Sequence, residues 1–157
     1  MNRNLCTKSA IAVIGLVVFL TTLPARAANC SAAKGAGSYS FTTNGVLLTP
    51  GAVPVASVGE FSADANGNFS GQQTRNIGGQ IAAETLTGSA TINRDCSASY
   101  TVNVFEAGTL VRTTTLAAQW DDNMNEEDGM FTSVVLKPSD TAVGSVVTLH
   151  AKRQVPR

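Results

Sequence analysis

Three charged residues, Arg75, Glu84 and Arg112, keep step with apolar neighbours along alternating segments, and through them this chain could do chemistry. Side chains of a β-strand point to opposite faces in turn, so residues of one parity share a face. Glu84 shares its parity with Leu86, Ala90 and Ile92; Arg112 with Leu110, Leu116, Ala118 and Trp120; Gln73 and Arg75 with Phe69 and Ile77. An unpaired buried charge is costly, so the three are expected to meet as a hydrogen-bonded cluster beside Tyr100 and Trp120. The chemistry would be recognition: a partly polar cavity for a small amphipathic ligand, with Arg75, Glu84, Tyr100, Arg112 and Trp120 as its binding residues. Two plainer arrangements stay open. The charges can sit at an open end and meet water, or a β-bulge can shift the phase and turn them outward.

The other reactive side chains point to less. His150, the single histidine, lies on the face opposite Val147, Leu149 and Ala151 and is expected in solvent, with no nucleophile or orienting carboxylate near it in sequence. The run Asp121-Asp122-Asn123-Met124-Asn125-Glu126-Glu127-Asp128-Gly129 reads as a solvated loop. It lacks the alternating ligand spacing of a helix-loop-helix calcium site, which leaves weak calcium binding as its alternative role. No transition-metal site, cofactor or catalytic residue is assigned.

Elements that would position these residues recur along the chain from Tyr39 onward, as segments rich in Thr, Val, Ser and Ala punctuated by Gly, Asn and Asp. Strands are expected over 37–44, 53–64, 68–77, 80–92, 96–106, 109–120, 130–137 and 145–153. Within 96–106, Cys96, Ala98, Tyr100, Val102 and Val104 form the inward set against Ser97, Ser99, Thr101 and Asn103. Asn66-Gly67 suggests a type I′ hairpin, and Ile77-Gly78-Gly79-Gln80, Asn93-Arg94-Asp95 and Glu106-Ala107-Gly108 mark further tight turns. Connections this short join antiparallel neighbours. The fold class is therefore all-β: an up-and-down meander of about eight strands, closed into a small barrel because closure removes both exposed edges. A β-sandwich is the alternative. The few aromatics and the polar Arg153-Gln154-Val155-Pro156-Arg157 terminus argue against an outer-membrane barrel.

The first 27 residues have a different pattern. A short basic stretch with Arg3 and Lys8 precedes an apolar run from Ala10 to Leu20 and then Ala25-Arg26-Ala27. This is the order of a secretory signal peptide, cut after Ala27 or Ala28, and the run is too short to span a membrane. Residues 28–157 would then form a single secreted domain, periplasmic or extracellular, with no membrane insertion after cleavage. Three of the eleven basic residues, Arg3, Lys8 and Arg26, lie in the leader, leaving eight against eleven acidic residues. A mildly acidic domain argues against nucleic-acid partners. Cys6 also lies in the leader, so Cys30 and Cys96 are expected to pair as a disulfide in an oxidising compartment, the alternative being two free thiols.

The strings Gly37-Ser38-Tyr39-Ser40-Phe41, Gly59-Glu60-Phe61-Ser62-Ala63-Asp64-Ala65-Asn66-Gly67-Asn68-Phe69-Ser70-Gly71 and Thr91-Ile92-Asn93-Arg94-Asp95-Cys96 resemble small secreted bacterial β-barrel proteins. These are similar to calycin-type barrels, including lipocalins and the allene oxide cyclase barrel. Gly37-x-Tyr39 resembles the lipocalin Gly-x-Trp opening, with Tyr in place of Trp and no matching downstream Arg identified. The resemblance implies a barrel and leaves three functions to weigh: a non-enzymatic binder of a small, partly apolar ligand; a structural or surface-interaction protein with a filled core; and a cyclase or isomerase built on a carboxylate such as Glu84 with a raised pKa.

Overall fold

A computed structural model describes residues 29–49 and 51–155; the expected leader and its cleavage site lie outside them. A single turn of helix, α1 (Ala32–Gly35), precedes eight strands: β1 (Gly37–Leu48), β2 (Val53–Ala63), β3 (Asn68–Ile77), β4 (Gln80–Ile92), β5 (Ser97–Glu106), β6 (Thr109–Trp120), β7 (Glu126–Leu136) and β8 (Thr141–Arg153). Each strand pairs antiparallel with the next, and β1 pairs with β8, so the sheet closes. Closure is the expected barrel, and it leaves no strand edge without a partner.

Turn chemistry sets the hairpins. At Ile77-Gly78-Gly79-Gln80 both glycines take positive φ (56° and 90°), the type I′ geometry that a two-residue hairpin needs. The expected type I′ turn at Asn66-Gly67 differs, because only Gly67 (φ 86°) is left-handed. There Asp64 organises a wider loop: its carboxylate accepts from the backbone N–H groups of Asn66 and Asn68 at 2.9 Å each, and Gly67 N–H donates to Asp64 O at 3.1 Å. A Cβ at Gly67 would stand 2.5 Å from Ala90 O, so this turn requires glycine twice over. The Asn68 side-chain amide, which donates to the Asp64 carboxylate at 3.1 Å, leads the hydrogen bonds that hold this carboxyl below its ordinary pKa. Asn93 to Ser97 repeats the same loop, with Cys96 (φ 68°) in the left-handed position just before β5.

Two bulges decide which side chains face inward. One lies between β5 and β6, where Phe105 pairs with Leu110 and Val104 with Arg112. Val111 is the extra residue; it packs inward beside Arg112, so Val111 takes the interior place expected of Leu110. The other separates the Thr115–Ser133 and Leu116–Phe131 pairs, leaving Thr132 extra on β7.

The barrel has a closed end and an open one. At the closed end Cys30 and Cys96 form the expected disulfide, with Cα atoms 5.0 Å apart across a sequence separation of 66. It ties α1 over a buried cluster that includes Tyr39, Ala98, Trp120 and Met124. Arg153, at the end of β8, locks this lid: it donates to Lys34 O (2.8 Å), Ala36 O (3.1 Å), Met124 O (3.2 Å) and the Tyr39 hydroxyl (2.6 Å). Its guanidinium also lies 5.1 Å from the centre of the Tyr39 ring. None of the helices among the described residues is long and apolar enough to cross a membrane.

Candidate functional site

Cross-strand register builds the polar waist of the interior. Gln73 on β3 pairs directly with Glu84 on β4, and Arg75 follows two residues on, along the same face. Arg112 arrives from β6 beside the Val111 bulge. Glu84 lies at the centre. Its Oε1 accepts from Arg75 Nε (2.8 Å) and Arg112 Nη1 (2.6 Å), and its Oε2 from Arg112 Nη2 (2.6 Å) and Gln73 Nε2 (2.6 Å). Arg75 reaches on to Glu106 at 2.9 Å. Burial alone would raise the Glu84 carboxyl, but the hydrogen bonds and charge of Arg112, aided by Gln73 and Arg75, outweigh it and hold the pKa below the ordinary carboxylate value. Two cations meet two anions, so the waist is electrically balanced. Glu84 is thus a held carboxylate, and the raised pKa that a Glu84-based isomerase would need is absent.

A second constellation lies nearer the closed end. Trp120 Nε1 donates to the Tyr100 hydroxyl at 2.9 Å, and that hydroxyl donates to Glu127 Oε1. Glu127, only 2% exposed, sits on β7 opposite Trp120 on β6. This corrects the reading of residues 121–129 as a solvated loop: β7 begins at Glu126, not at 130, and carries Glu127 inside. Tyr100 is the one hydrogen-bond partner of the Glu127 carboxylate among the described residues. Burial pushes the Glu127 carboxyl up to about 7, the Tyr100 hydrogen bond partly opposes this, and the neighbouring charge of Asp128 adds to it. Burial also raises the Tyr100 hydroxyl, which stays a protonated donor.

Between waist and lid lies an inner chamber of about 70 Å³. A single water needs roughly 10–15 Å³, so the chamber has room for several waters or one small ring. Its walls are aromatic and aliphatic: Phe41, Phe61, Phe69, Tyr100 and Phe131, with Leu86, Val102, Val104, Leu116 and Leu149. Phe61, Phe69 and Tyr100 follow one another edge to face, with centroids 5.7 and 6.0 Å apart. Gln73 and Arg112 border it on the waist side, and Glu127 is the carboxylate in its lining. On the far side of the waist an outer chamber of about 200 Å³ opens at the mouth, lined by Leu47, Val55, Ile77, Val134, Leu136 and Val147 with Arg75 and Glu106. Thr43, Gln73, Arg112, Thr114 and Phe131 border both chambers.

Of the five residues expected to bind ligand, Tyr100 and Arg112 line the inner chamber, and Arg75 and Arg112 the outer one. Glu84 stands behind Gln73 and Arg112, and Trp120 lies under Tyr100, so these two position other groups. Glu127 is the residue that sequence reasoning passed over. Its signal was parity with Gly129 and Phe131. Counting back by twos from Val134 puts Glu126 and Asp128 inward instead, because the Thr132 bulge flips the phase. His150 is exposed as expected, and it has a partner that the sequence did not suggest, Asp128 Oδ1 at 2.9 Å. Among the described residues no group of three or more His, Cys, Asp or Glu side chains is placed to hold a metal ion.

No protein-family model matches the chain, and no curated protein sequence matches it. Solved structures share its architecture. EF1p2_mFAP2b bound to DFHBI superposes with a TM-score of 0.55 at 12% identity, over 79% of this chain and 97% of the other. The redesigned β barrel mFAP1 bound to DFHBI gives 0.51 at 14%, over 78% and 98%. The S-type phycobiliprotein lyase CPES from Guillardia theta gives 0.45 at 6%, over 79% and 90%. At these identities the likeness to the two mFAP barrels is one of fold, an eight-stranded antiparallel barrel.

Proposed function

We propose that this chain is exported from the cytoplasm, loses residues 1–27, and works as a non-enzymatic barrel that binds a small, partly apolar ligand in its interior. The inner chamber carries the reading: an aromatic pocket is left open within a closed barrel, and a carboxylate lines it. A barrel whose only task was structural would gain by filling that space and by replacing Glu127 with an apolar side chain. Three further observations support the reading. The disulfide suits an oxidising compartment. The fold is one in which other barrels hold the small molecule DFHBI. Arg153 over the ring of Tyr39 pairs an arginine with the Gly37-x-Tyr39 opening, which strengthens the resemblance to lipocalin-type barrels.

Native mass spectrometry of the mature protein, purified from its own host's periplasm or medium, tests this directly. The expected result is a bound small molecule that is lost on denaturation. It should be absent from Val102→Phe, which places a ring in the chamber that Val102 lines. A ligand-free mass in both proteins would move the reading to the filled, structural barrel. The denatured, non-reduced mass also reports the cut after Ala27 and the two hydrogens lost at Cys30 and Cys96.

A further inference from the structure

The inner chamber is a charged site, because its two polar borders are not equivalent. At the waist, Arg75 and Arg112 are matched by Glu84 and Glu106, so no net charge remains there. At the lid side, no cation among the described residues lies beside Glu127, and the neighbouring charge that acts on it comes from Asp128, another carboxylate. Its Oε1 accepts from Tyr100; its Oε2 has no partner among the described residues. No fully buried side-chain oxygen or nitrogen among those residues lacks a hydrogen bond, so Oε2 must keep open surface, and the space that Glu127 lines is the chamber. The missing complement is therefore positive and small, and it has to come from within the cavity. Five aromatic rings line the same space, and ring faces attract cations.

We propose that the inner chamber selects a small organic cation, a protonated primary amine on an apolar or aromatic body, whose ammonium group binds Glu127 Oε2 while the body packs among Phe41, Phe61, Phe69 and Phe131. This rests on the ligand-binding reading above and adds the chemical class of the ligand. An ammonium has three N–H donors: one meets Oε2 and the others can face the Tyr100 ring and chamber water. The ion pair forms where water is scarce, so it is worth more than a surface pair. It also compensates a carboxylate that burial has pushed up to about 7. The titratable and charged groups around Glu127 do not compete for that role. Tyr100 from β5 stays a neutral donor, the Tyr39 hydroxyl from β1 is held by Arg153 of β8, and Asp128 is exposed and bonded to His150.

The test is a titration of the mature protein with three probes of one shape, benzylamine, benzyl alcohol and benzoate, at pH 8. Calorimetry and the fluorescence of Trp120, the only tryptophan, supply the readout. Benzylamine is expected to bind ~10-fold or more tighter than benzyl alcohol, with benzoate weakest. Glu127→Gln keeps the shape and the acceptor for Tyr100, and should erase that preference while leaving benzyl alcohol within about threefold of its wild-type affinity. In wild type the amine's advantage should also shrink at pH 5.5, where Glu127 is protonated. Benzyl alcohol or benzoate binding as tightly as the amine, or a preference that survives in Glu127→Gln, would overturn the amine assignment and leave the ligand-binding barrel standing. Failure of all three probes to bind would overturn both.

Discussion

Two glutamates are buried in this barrel, each 2% exposed, and they have opposite fates. Glu84 is gripped through both oxygens by Arg75, Arg112 and Gln73, and its pKa is held down. Glu127 has one neutral donor, Tyr100, and its pKa rises to about 7. Both are shut off from solvent, but Glu127 lies deeper among protein atoms and meets no cation among the described residues, so depth and partners together make the difference. A buried charge with its complement built in is architecture: it fixes the register of β3, β4 and β6 around the waist. A buried charge without one destabilises the empty protein, and such a cost is expected at a site whose complement arrives from outside.

The contrast is broken most severely at Glu84. Glu84→Ala would leave two inward guanidiniums without their shared carboxylate, and removing one partner of a buried ionic cluster costs about 3–5 kcal/mol. Urea unfolding at pH 7 would show it; a loss under about 1 kcal/mol would mean that water already reaches the waist through the outer chamber.

Glu127→Gln should have the opposite sign. Between the ordinary carboxyl value of 4.5 and about 7, folded Glu127 keeps a proton that the unfolded chain has released. Stability of the wild type therefore falls as pH rises through that window. Glu84 behaves conversely: its contribution is present above the unfolded carboxyl pKa and is lost as pH falls through its lower folded value. The glutamine variant should match wild type near pH 5 and exceed it at pH 8, by at most on the order of 3 kcal/mol. Melting curves at the two pH values decide this, and equal stability at pH 8 would show that Glu127 is already compensated.

The smallest effect is at Asp128, whose side chain is 84% exposed on the outer face of β7. Asp128→Asn removes a like charge, so the Glu127 midpoint should move down slightly, followed by carboxyl NMR, while stability changes by less than ~0.5 kcal/mol. A midpoint that moved up would contradict the repulsion assigned to Asp128.

Much of the waist, and Tyr100 nearer the lid, were legible in the sequence, because Gln73, Arg75, Glu84 and Tyr100 lie on stretches of β3, β4 and β5 where alternation runs unbroken around them. Glu127 was not. Its strand starts inside an acidic run whose composition imitates a loop, and the bulge at Thr132 reverses the parity read from Val134. The Val111 bulge misplaced Leu110 in the same way. A bulge is a property of the pairing between two strands, and neither strand carries it alone.

Local chemistry determined what could be read from the chain: strands and turns depend on neighbours a few residues apart, short connections require antiparallel pairing, and the two cysteines of the expected domain can close only one bridge. The tertiary structure decided the rest. The pairing of β1 with β8, the space left between waist and lid, and which buried carboxylate meets arginine depend on groups brought together from distant strands, with energies set by distance and burial. Parity can send a glutamate inward. Only the closed barrel determines what faces it there.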